Sequence, residues 1–463
     1  AIGASNSYSN GWTGKDITVS VLDNTYDTDH PDLVDVFVTG YNAVDDSTNV
    51  HCEDNTAMNG GDNTGCSNHH GTHVAGTIAA NKDGVGMHGV AYNAKIKPIV
   101  MANGAWGDSV STAELILAIQ AGTGSGIVAM NNSWGYTTTA TYTLSGTQYY
   151  YRLPYNQSNT VLTSSELAAW EAGAADTVIV FANSNHGMNT LNGRVNLYSS
   201  ASNALTKTNT AGYVINADHM DVNMAGWMGA QGHNSNLAGK WLTVVALDNN
   251  NVIATYSNGC ALAKAFCISA PGSGIYSTVD TVGGDTYDTY NGTSMAAPHV
   301  TGALAILAQQ FPNLTSTELV TLIIDSATDL GAAGVDAIYG VGMLNLAEAT
   351  KPSGASVIAA REANAANVAS GLSSSFGGSP SPLNTSIITS SAFGNTLNKK
   401  NISVGILDEY KRSYLWNPNY QQNVQSNYVL NDFINLTNKD KNKDLNLFKN
   451  ENTRVSFIDN LDI

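Results

Sequence analysis

Three side chains far apart in the sequence carry groups that can act together on a carbonyl: the carboxylate of Asp23, the imidazole of His70 and the hydroxyl of Ser294. A hydroxyl is a weak nucleophile at neutral pH. Acyl transfer by it needs a base to take its proton and a carboxylate to orient that base. Ser294 lies in the run Asn291-Gly292-Thr293-Ser294-Met295-Ala296-Ala297-Pro298-His299, where a glycine-rich turn hands over to an apolar stretch. Residues 300–310, with Ala303, Leu304, Ile306, Leu307 and Ala308, have the pattern of a buried helix, which puts Ser294 at that helix's first turn. Unpaired N–H groups there favour developing negative charge. Pro298 suits a first turn and argues against a helix that begins much earlier. Taken alone, the same serine reads as an ordinary helix cap. Partners elsewhere in the chain are what distinguish it.

The elements that must position these groups follow a strand–helix rhythm. Residues 17–22 form a β-branched run that stops at Asp23, and an Asp29-His30-Pro31-Asp32 turn follows, so Asp23 falls at the carboxyl end of a core strand, the edge where open α/β sheets build sites. Asn68-His69-His70-Gly71-Thr72-His73-Val74-Ala75-Gly76 reads as a loop entering a small-residue helix that can pack closely on a neighbour. Strands are expected at 95–101, 127–133, 177–182, 241–247 and 252–256, and helices at 111–121 and 164–175. Thr315-Ser316-Thr317-Glu318 is a capping box for a further helix to about Ser326. Alternation of this kind implies parallel pairing with helices on both faces of the sheet. Residues 136–163 and 188–240 are Thr/Tyr- and Asn/Ser/Gly-rich insertions. Residues 340–349 close the first domain, 1–350, and 351–463 read as a linker and partly disordered tail, with Ser/Gly/Pro-rich 370–382 and Asn/Lys/Asp-rich 435–452.

Composition narrows the classes of partner. The net charge is −17, and residues 351–463 hold 11 Lys+Arg against 9 Asp+Glu, so the acidity belongs to the first 350. Nucleic acid and anionic membrane, both polyanions, are therefore not expected partners. No apolar run approaches the roughly 18 residues of a membrane-spanning helix. No signal-peptide pattern opens the chain at Ala1, so a presequence has been removed or the sequence is a fragment. Four cysteines fall into two local pairs, Cys52 with Cys66 and Cys260 with Cys267, for which two disulfides in an oxidising compartment are expected. Zinc is not expected at either pair, since neither has C-x-x-C spacing. It is not expected at His69, His70 and His73 either, since no Glu stands between them and no clear carboxylate ligand follows.

Three blocks resemble the subtilisin-like serine proteases, or subtilases. They are Val21-Leu22-Asp23 with His30-Pro31-Asp32-Leu33 downstream, His70-Gly71-Thr72-His73-Val74-Ala75-Gly76-Thr77, and Gly292-Thr293-Ser294-Met295-Ala296-Ala297-Pro298-His299-Val300. The order Asp, His, Ser is a known subtilisin signature rather than something the spacing establishes. The resemblance covers about residues 10–350. It implies an α/β fold with a mostly parallel central sheet, and an endopeptidase in which Ser294 is nucleophile, His70 general base and then acid, and Asp23 the orienting carboxylate. It also implies an oxyanion-hole asparagine within Ala182-Asn183-Ser184-Asn185-His186-Gly187. Counting back from Gly187 favours Asn185, with Asn183 as competitor. Ser133, Trp134 and Gly135 resemble the strand that pairs with extended substrate. Ala105-Trp106-Gly107 resembles its opposite wall, while Trp106 and Trp134 serve equally well as packing residues.

Two departures stand out: Thr25 where the family usually has Gly, and Ser184 where Gly usually precedes the oxyanion Asn. Within the family the likeness is greatest to passenger domains of bacterial autotransporter proteases. It rests on Ala1-Ile2-Gly3-Ala4, the Cys260–Cys267 loop, residues 331–342 and the run Gly405-Ile406-Leu407-Asp408-Glu409-Tyr410-Lys411-Arg412, with no barrel strands following. That likeness implies a secreted or cell-surface location and protein or peptide substrates. A monomer is expected. No metal or other cofactor is required; structural calcium is possible at Asn81-Lys82-Asp83-Gly84, where an ordinary Asx turn is the favoured reading. Two other classes stay open: a surface binding module on an inactive protease scaffold, and a zinc hydrolase.

Overall fold

The computed structural model describes residues 2–51, 69–102, 110–135, 163–185, 187, 236–281 and 284–353, the backbone of short strands between 139 and 208, and, beyond 354, five strands with Asp408, Tyr410 and Arg412. Cys52, Cys66 and Ala105-Trp106-Gly107 lie outside the described residues. The chain forms two compact units, Ala1–Thr350 and Lys351–Ile463.

In the first unit seven strands form one sheet: β1 Thr18–Asp23, β2 Tyr41–Asn42, β3 Lys95–Val100, β4 Ile127–Asn132, β7 Val178–Ala182, β10 Trp241–Leu247 and β11 Cys267–Pro271, in the order β11-β10-β7-β4-β1-β3-β2. Every pair is parallel. The strands are nearly continuous apolar runs because both faces are covered. On one face Leu22, Ile99, Met130, Ile179, Phe181 and Trp241 pack with helices α3 Thr112–Gly122 and α4 Ser164–Gly173 through Leu115, Ile119 and Trp170. Helices α2 His70–Ala79 and α5 Thr293–Gln310 also pack on the sheet and on each other. After β3 the chain crosses to the other side of β1, so the order reverses between β1 and β4, a switch point of the kind at whose carboxyl ends open α/β sheets build their sites.

Local chemistry explains where the helices begin. Ser111 with Glu114, Thr163 with Glu166 and Thr315 with Glu318 each form a complete capping box, the last opening α6 Ser316–Asp325. Short α1 Ser5–Ser9 and α7 Leu346–Ala349 bring the ends of the unit together, where Leu346 N–H donates to Ile2 O (2.8 Å).

Two features differ from the expectations above, and a third occupies residues for which no element is expected. Residues 252–256 are not a strand. Ile253 makes only an isolated bridge to Leu247, because Asn249 to Asn251 turn the chain back on itself and Asn251 adopts φ 60°. A hairpin, β12 Ile275–Thr281 with β13 Gly284–Tyr290, lies against α2, where Gly76 leaves room for Ser277 and Thr278 that a methyl group would fill. Helix α5 begins at Thr293, so Pro298 sits inside it rather than in its first turn.

The two insertions share a sheet. Strands β5 Thr139–Leu144, β6 Thr147–Arg152, β8 Leu197–Tyr198 and β9 Lys207–Thr208 pair antiparallel in that order. In the second unit β14 Ala355–Ile358, β15 Val404–Leu407, β16 Ser413–Trp416, β17 Leu445–Asn450 and β18 Thr453–Phe457 form a sheet ordered β16-β15-β14-β18-β17. There the buried Asp408 carboxylate pairs with the Arg412 guanidinium and accepts the Ser353 N–H.

Candidate active site

Asp23 ends β1 and is buried. Its Oδ1 accepts the N–H of Asn24 (2.9 Å), and Asn24 Oδ1 accepts the N–H of Gly71 (3.0 Å) in the first turn of α2. A Cβ on Gly71 would stand 2.8 Å from the Thr25 carbonyl, so glycine is what lets the helix approach this loop. Thr25 itself is not among the residues with positive φ, so the turn accepts a side chain there. Tyr26, fully buried, donates its hydroxyl to Val21 O (2.7 Å) and fixes the base of the loop; burial pushes its phenol well above the usual range.

This clamp brings the first residue of α2 to the strand end. The Nδ1–H of His70 donates to both carboxylate oxygens of Asp23, at 2.8 and 2.9 Å, and both side chains are buried. A buried carboxylate held in this way orients the ring and fixes which nitrogen carries the proton. His73, one turn on, is directed elsewhere: its Nε2 meets Ile275 O (3.0 Å), its ring stacks on Tyr290 (4.3 Å), and burial lowers its pKa to about 4. His69 is lowered by the same cause.

Ser294 is the second residue of α5 and nearly buried. Its hydroxyl donates to Ser133 O (2.9 Å), and the Ser133 hydroxyl donates back to Ser294 O (2.8 Å). The second bond compensates for Pro298 inside the helix. Proline has no N–H to offer the carbonyl four residues earlier, which is that of Ser294, and Ser133 Oγ takes the place of that donor. Asn131 Nδ2 holds Ser133 Oγ (2.9 Å), and Thr301 of α5 holds Asn131 Oδ1 (3.1 Å). Trp134 turns its ring into the core against Phe181 (5.2 Å) and Trp170 (6.4 Å), and Gly135 is half-buried beyond it.

The two asparagines after β7 have different surroundings. Asn183 is fully buried and spent at both ends, its Nδ2 on Gly259 O (2.7 Å) and its Oδ1 on the Thr243 hydroxyl (3.0 Å). Asn185 is exposed, and its Oδ1 accepts both the N–H (2.8 Å) and the hydroxyl (2.9 Å) of Thr293, the residue before Ser294. Its Nδ2 faces Gly292, where a Cβ would stand 3.4 Å from it. Between them Ser184 adopts φ 86°, a left-handed conformation that glycine takes without cost, and is held by Thr293 Oγ1 and Asn258 N. Thr293 joins the candidate site through Asn185. It reads only as a neighbour of the serine, although its side chain and N–H set the position of Asn185.

Cys260 and Cys267 are joined and close the turn leading into β11. At Asn81-Lys82-Asp83-Gly84, Asp83 Oδ1 accepts Val85 N–H (2.8 Å) and Asn81 N–H donates to Asp32 O (2.8 Å). Among the described residues, the trio of His, Cys, Asp and Glu side chains close enough to share an ion is Asp27, Asp29 and His51.

A parallel sheet with a buried carboxylate–imidazole pair at its switch point and a serine on the adjoining helix defines a hydrolase-type α/β scaffold. The sequence comparison narrows this: residues 14–342 match the subtilase family, and the chain belongs to that family. It is similar to an extracellular serine protease of Serratia marcescens, 31% identical over 380 residues that cover 75% of this chain and 33% of that protein. Fervidolysin of Fervidobacterium pennivorans is 30% identical over 357 residues, covering 72% and 40%. The crystal structure of fervidolysin, described as a keratinolytic enzyme related to subtilisin, superimposes with a TM-score of 0.51 at 27% identity over 77% of this chain and 47% of that one. A serotype-specific antigen of Mannheimia haemolytica is 37% identical over 113 residues, 23% of this chain and 12% of the antigen. The chain thus spans a third to two fifths of the length of the first two relatives.

Proposed function

We propose that this chain is a secreted or surface serine endopeptidase that hydrolyses peptide bonds of extracellular proteins through an acyl-enzyme. The observation that carries this reading is the buried Asp23 carboxylate accepting the Nδ1–H of His70 through both oxygens, in a member of the subtilase family. With Nδ1 protonated and fixed, His70 Nε2 is the nitrogen able to take a proton.

Reaction begins when the Ser294 hydroxyl turns from the Ser133 carbonyl toward His70. Its oxygen bonds to the scissile carbonyl carbon while the proton passes to Nε2. The Asp23 carboxylate stabilises the imidazolium, and the oxyanion is met by the Asn185 amide and the Ser294 N–H in the first turn of α5, where unpaired N–H groups favour negative charge. Collapse breaks the C–N bond as His70 returns the proton to the leaving amine. Water, activated by the same imidazole, then adds to the ester and releases the acid and the free serine. Residues 133–135 offer the backbone edge for an extended substrate.

A fluorophosphonate probe applied to the purified chain is expected to label Ser294, with labelling absent in Ser294→Ala. Folded protein that takes up no probe and leaves casein intact would sink the reading.

A further inference from the structure

Four residues beyond Asp23 stands a second carboxylate that the chemistry above does not use. Asp27 is fully buried. Its N–H donates to the Thr72 hydroxyl of α2 (2.9 Å), and its Oδ1 accepts the N–H groups of Asp29 (3.2 Å) and His30 (3.1 Å). Its Oδ2 has no partner. A buried carboxylate oxygen without a donor is costly, and folded proteins rarely leave one so. The surroundings deepen the cost. Asp29 and His51 each bring a ligating atom so that the three lie within 4.8 Å of one another, and His51 Nδ1 is 3.9 Å from Asp29 Oδ1. That contact with His51 is the ion pair Asp29 makes among the described residues, and Asp27 makes none with Lys or Arg there. Like charges converging on an unpartnered buried oxygen are relieved most directly by a cation.

We propose that Asp27, Asp29 and His51 bind a divalent metal ion of the zinc or manganese class, which fixes the segment after Asp23 against helix α2. Two carboxylates and an imidazole suit such ions, whereas calcium asks for six to eight oxygens. The bond from Asp27 N–H to Thr72 gives the ion a route to the catalytic pair, because Thr72 lies two residues from His70 on the same first turn of α2. The site stands apart from His70 and Ser294, and the inference does not rest on proteolytic activity.

The test uses the full chain carrying Ser294→Ala, so that self-digestion cannot intervene. After chelation and dialysis, Zn2+ and Mn2+ are titrated separately, with Ca2+ as a third arm, while the melting midpoint and bound metal per chain are followed. The expected result is about one Zn2+ or Mn2+ per chain with a raised midpoint. Asp27→Asn, close in shape, is expected to weaken binding at least about 100-fold while the apo protein still melts cooperatively, and His51→Gln to do the same from the exposed side. The proposal is overturned if none of the ions moves the midpoint, if calcium alone does, or if the shift persists unchanged in both variants.

Discussion

Replacing each of the two asparagines after β7 by alanine separates the proposed oxyanion donor from its structural neighbour. In Asn185→Ala the N–H and hydroxyl of the buried Thr293 lose their shared acceptor, so the stability cost is about 1–3 kcal/mol even though Asn185 itself is exposed. The lost Nδ2 is the proposed oxyanion contact. A donor that meets charge only as the tetrahedral oxyanion forms contributes about 3 kcal/mol to the barrier, so kcat is expected to fall roughly 100- to 1000-fold with KM nearly unchanged. Asn183→Ala behaves the opposite way. It strands the buried Gly259 carbonyl and Thr243 hydroxyl, costing about 2–4 kcal/mol of stability, while kcat per folded molecule stays within a few-fold. The assay is kcat and KM on a chromogenic peptide, normalised by active-site titration, with melting curves for both variants in a Ser294→Ala background. If Asn183→Ala carries the loss in kcat and Asn185→Ala does not, the assignment is wrong.

Two further outcomes follow from the same geometry. Ser184 holds φ 86° at a cost of about 1–2 kcal/mol for a residue with a Cβ, whereas glycine restores about 0.5–1 kcal/mol of chain entropy to the unfolded state, so Ser184→Gly is expected to stabilise by about 0.5–1 kcal/mol; a lower denaturation midpoint would contradict the strain. His73 has a pKa near 4 when folded and about 6.5 when unfolded, so between those values the unfolded chain binds a proton that the folded one refuses, and stability falls as pH drops from about 6.5 to 4. Its share is at most roughly 3 kcal/mol, with burial moving His69 and His299 in the same direction. Urea midpoints at pH 7, 5.5 and 4.5 should therefore decline in the parent and decline less in His73→Gln; equal slopes would remove His73 from the account.

Much of the scaffold was legible because its signals are local. The β-branched run before Asp23, the small residues after His70 and the box at Thr315 and Glu318 each report their structure within a few residues of sequence. The misses share the opposite property. Val252 and Ile253 look like the start of a strand, yet a turn at 249–251 brings the chain back onto Leu247. The strands at 275–281 and 284–290 alternate Thr, Tyr and Asp with few apolar residues, and only their packing against α2 sets which face is buried. Asp27 sits in a polar string that reads as a surface turn. Only the packing of the loop beneath α2 buries it, and burial of one residue in a polar loop is a tertiary fact no periodicity encodes.

Pro298 shows most directly how the serine is tied to the rest of the site. Inside a helix a proline costs about 3 kcal/mol, much of it from the carbonyl it leaves without a donor. Here that carbonyl belongs to Ser294, and the donor supplied in its place is the hydroxyl of Ser133, at the mouth of β4. The same residue accepts the Ser294 hydroxyl through its own carbonyl and is braced by Asn131, which Thr301 braces from α5 in turn. Two elements whose bonded residues lie 161 positions apart are thereby locked in register at the edge proposed for substrate, and the lock exists because the helix lacks one N–H. An unbroken helix would have satisfied the Ser294 carbonyl internally and left Ser133 no reason to hold this place. The proline is thus part of the device that sets the distance between the proposed nucleophile and the proposed substrate strand, and Asp23 with His70 approaches that device from β1 and α2.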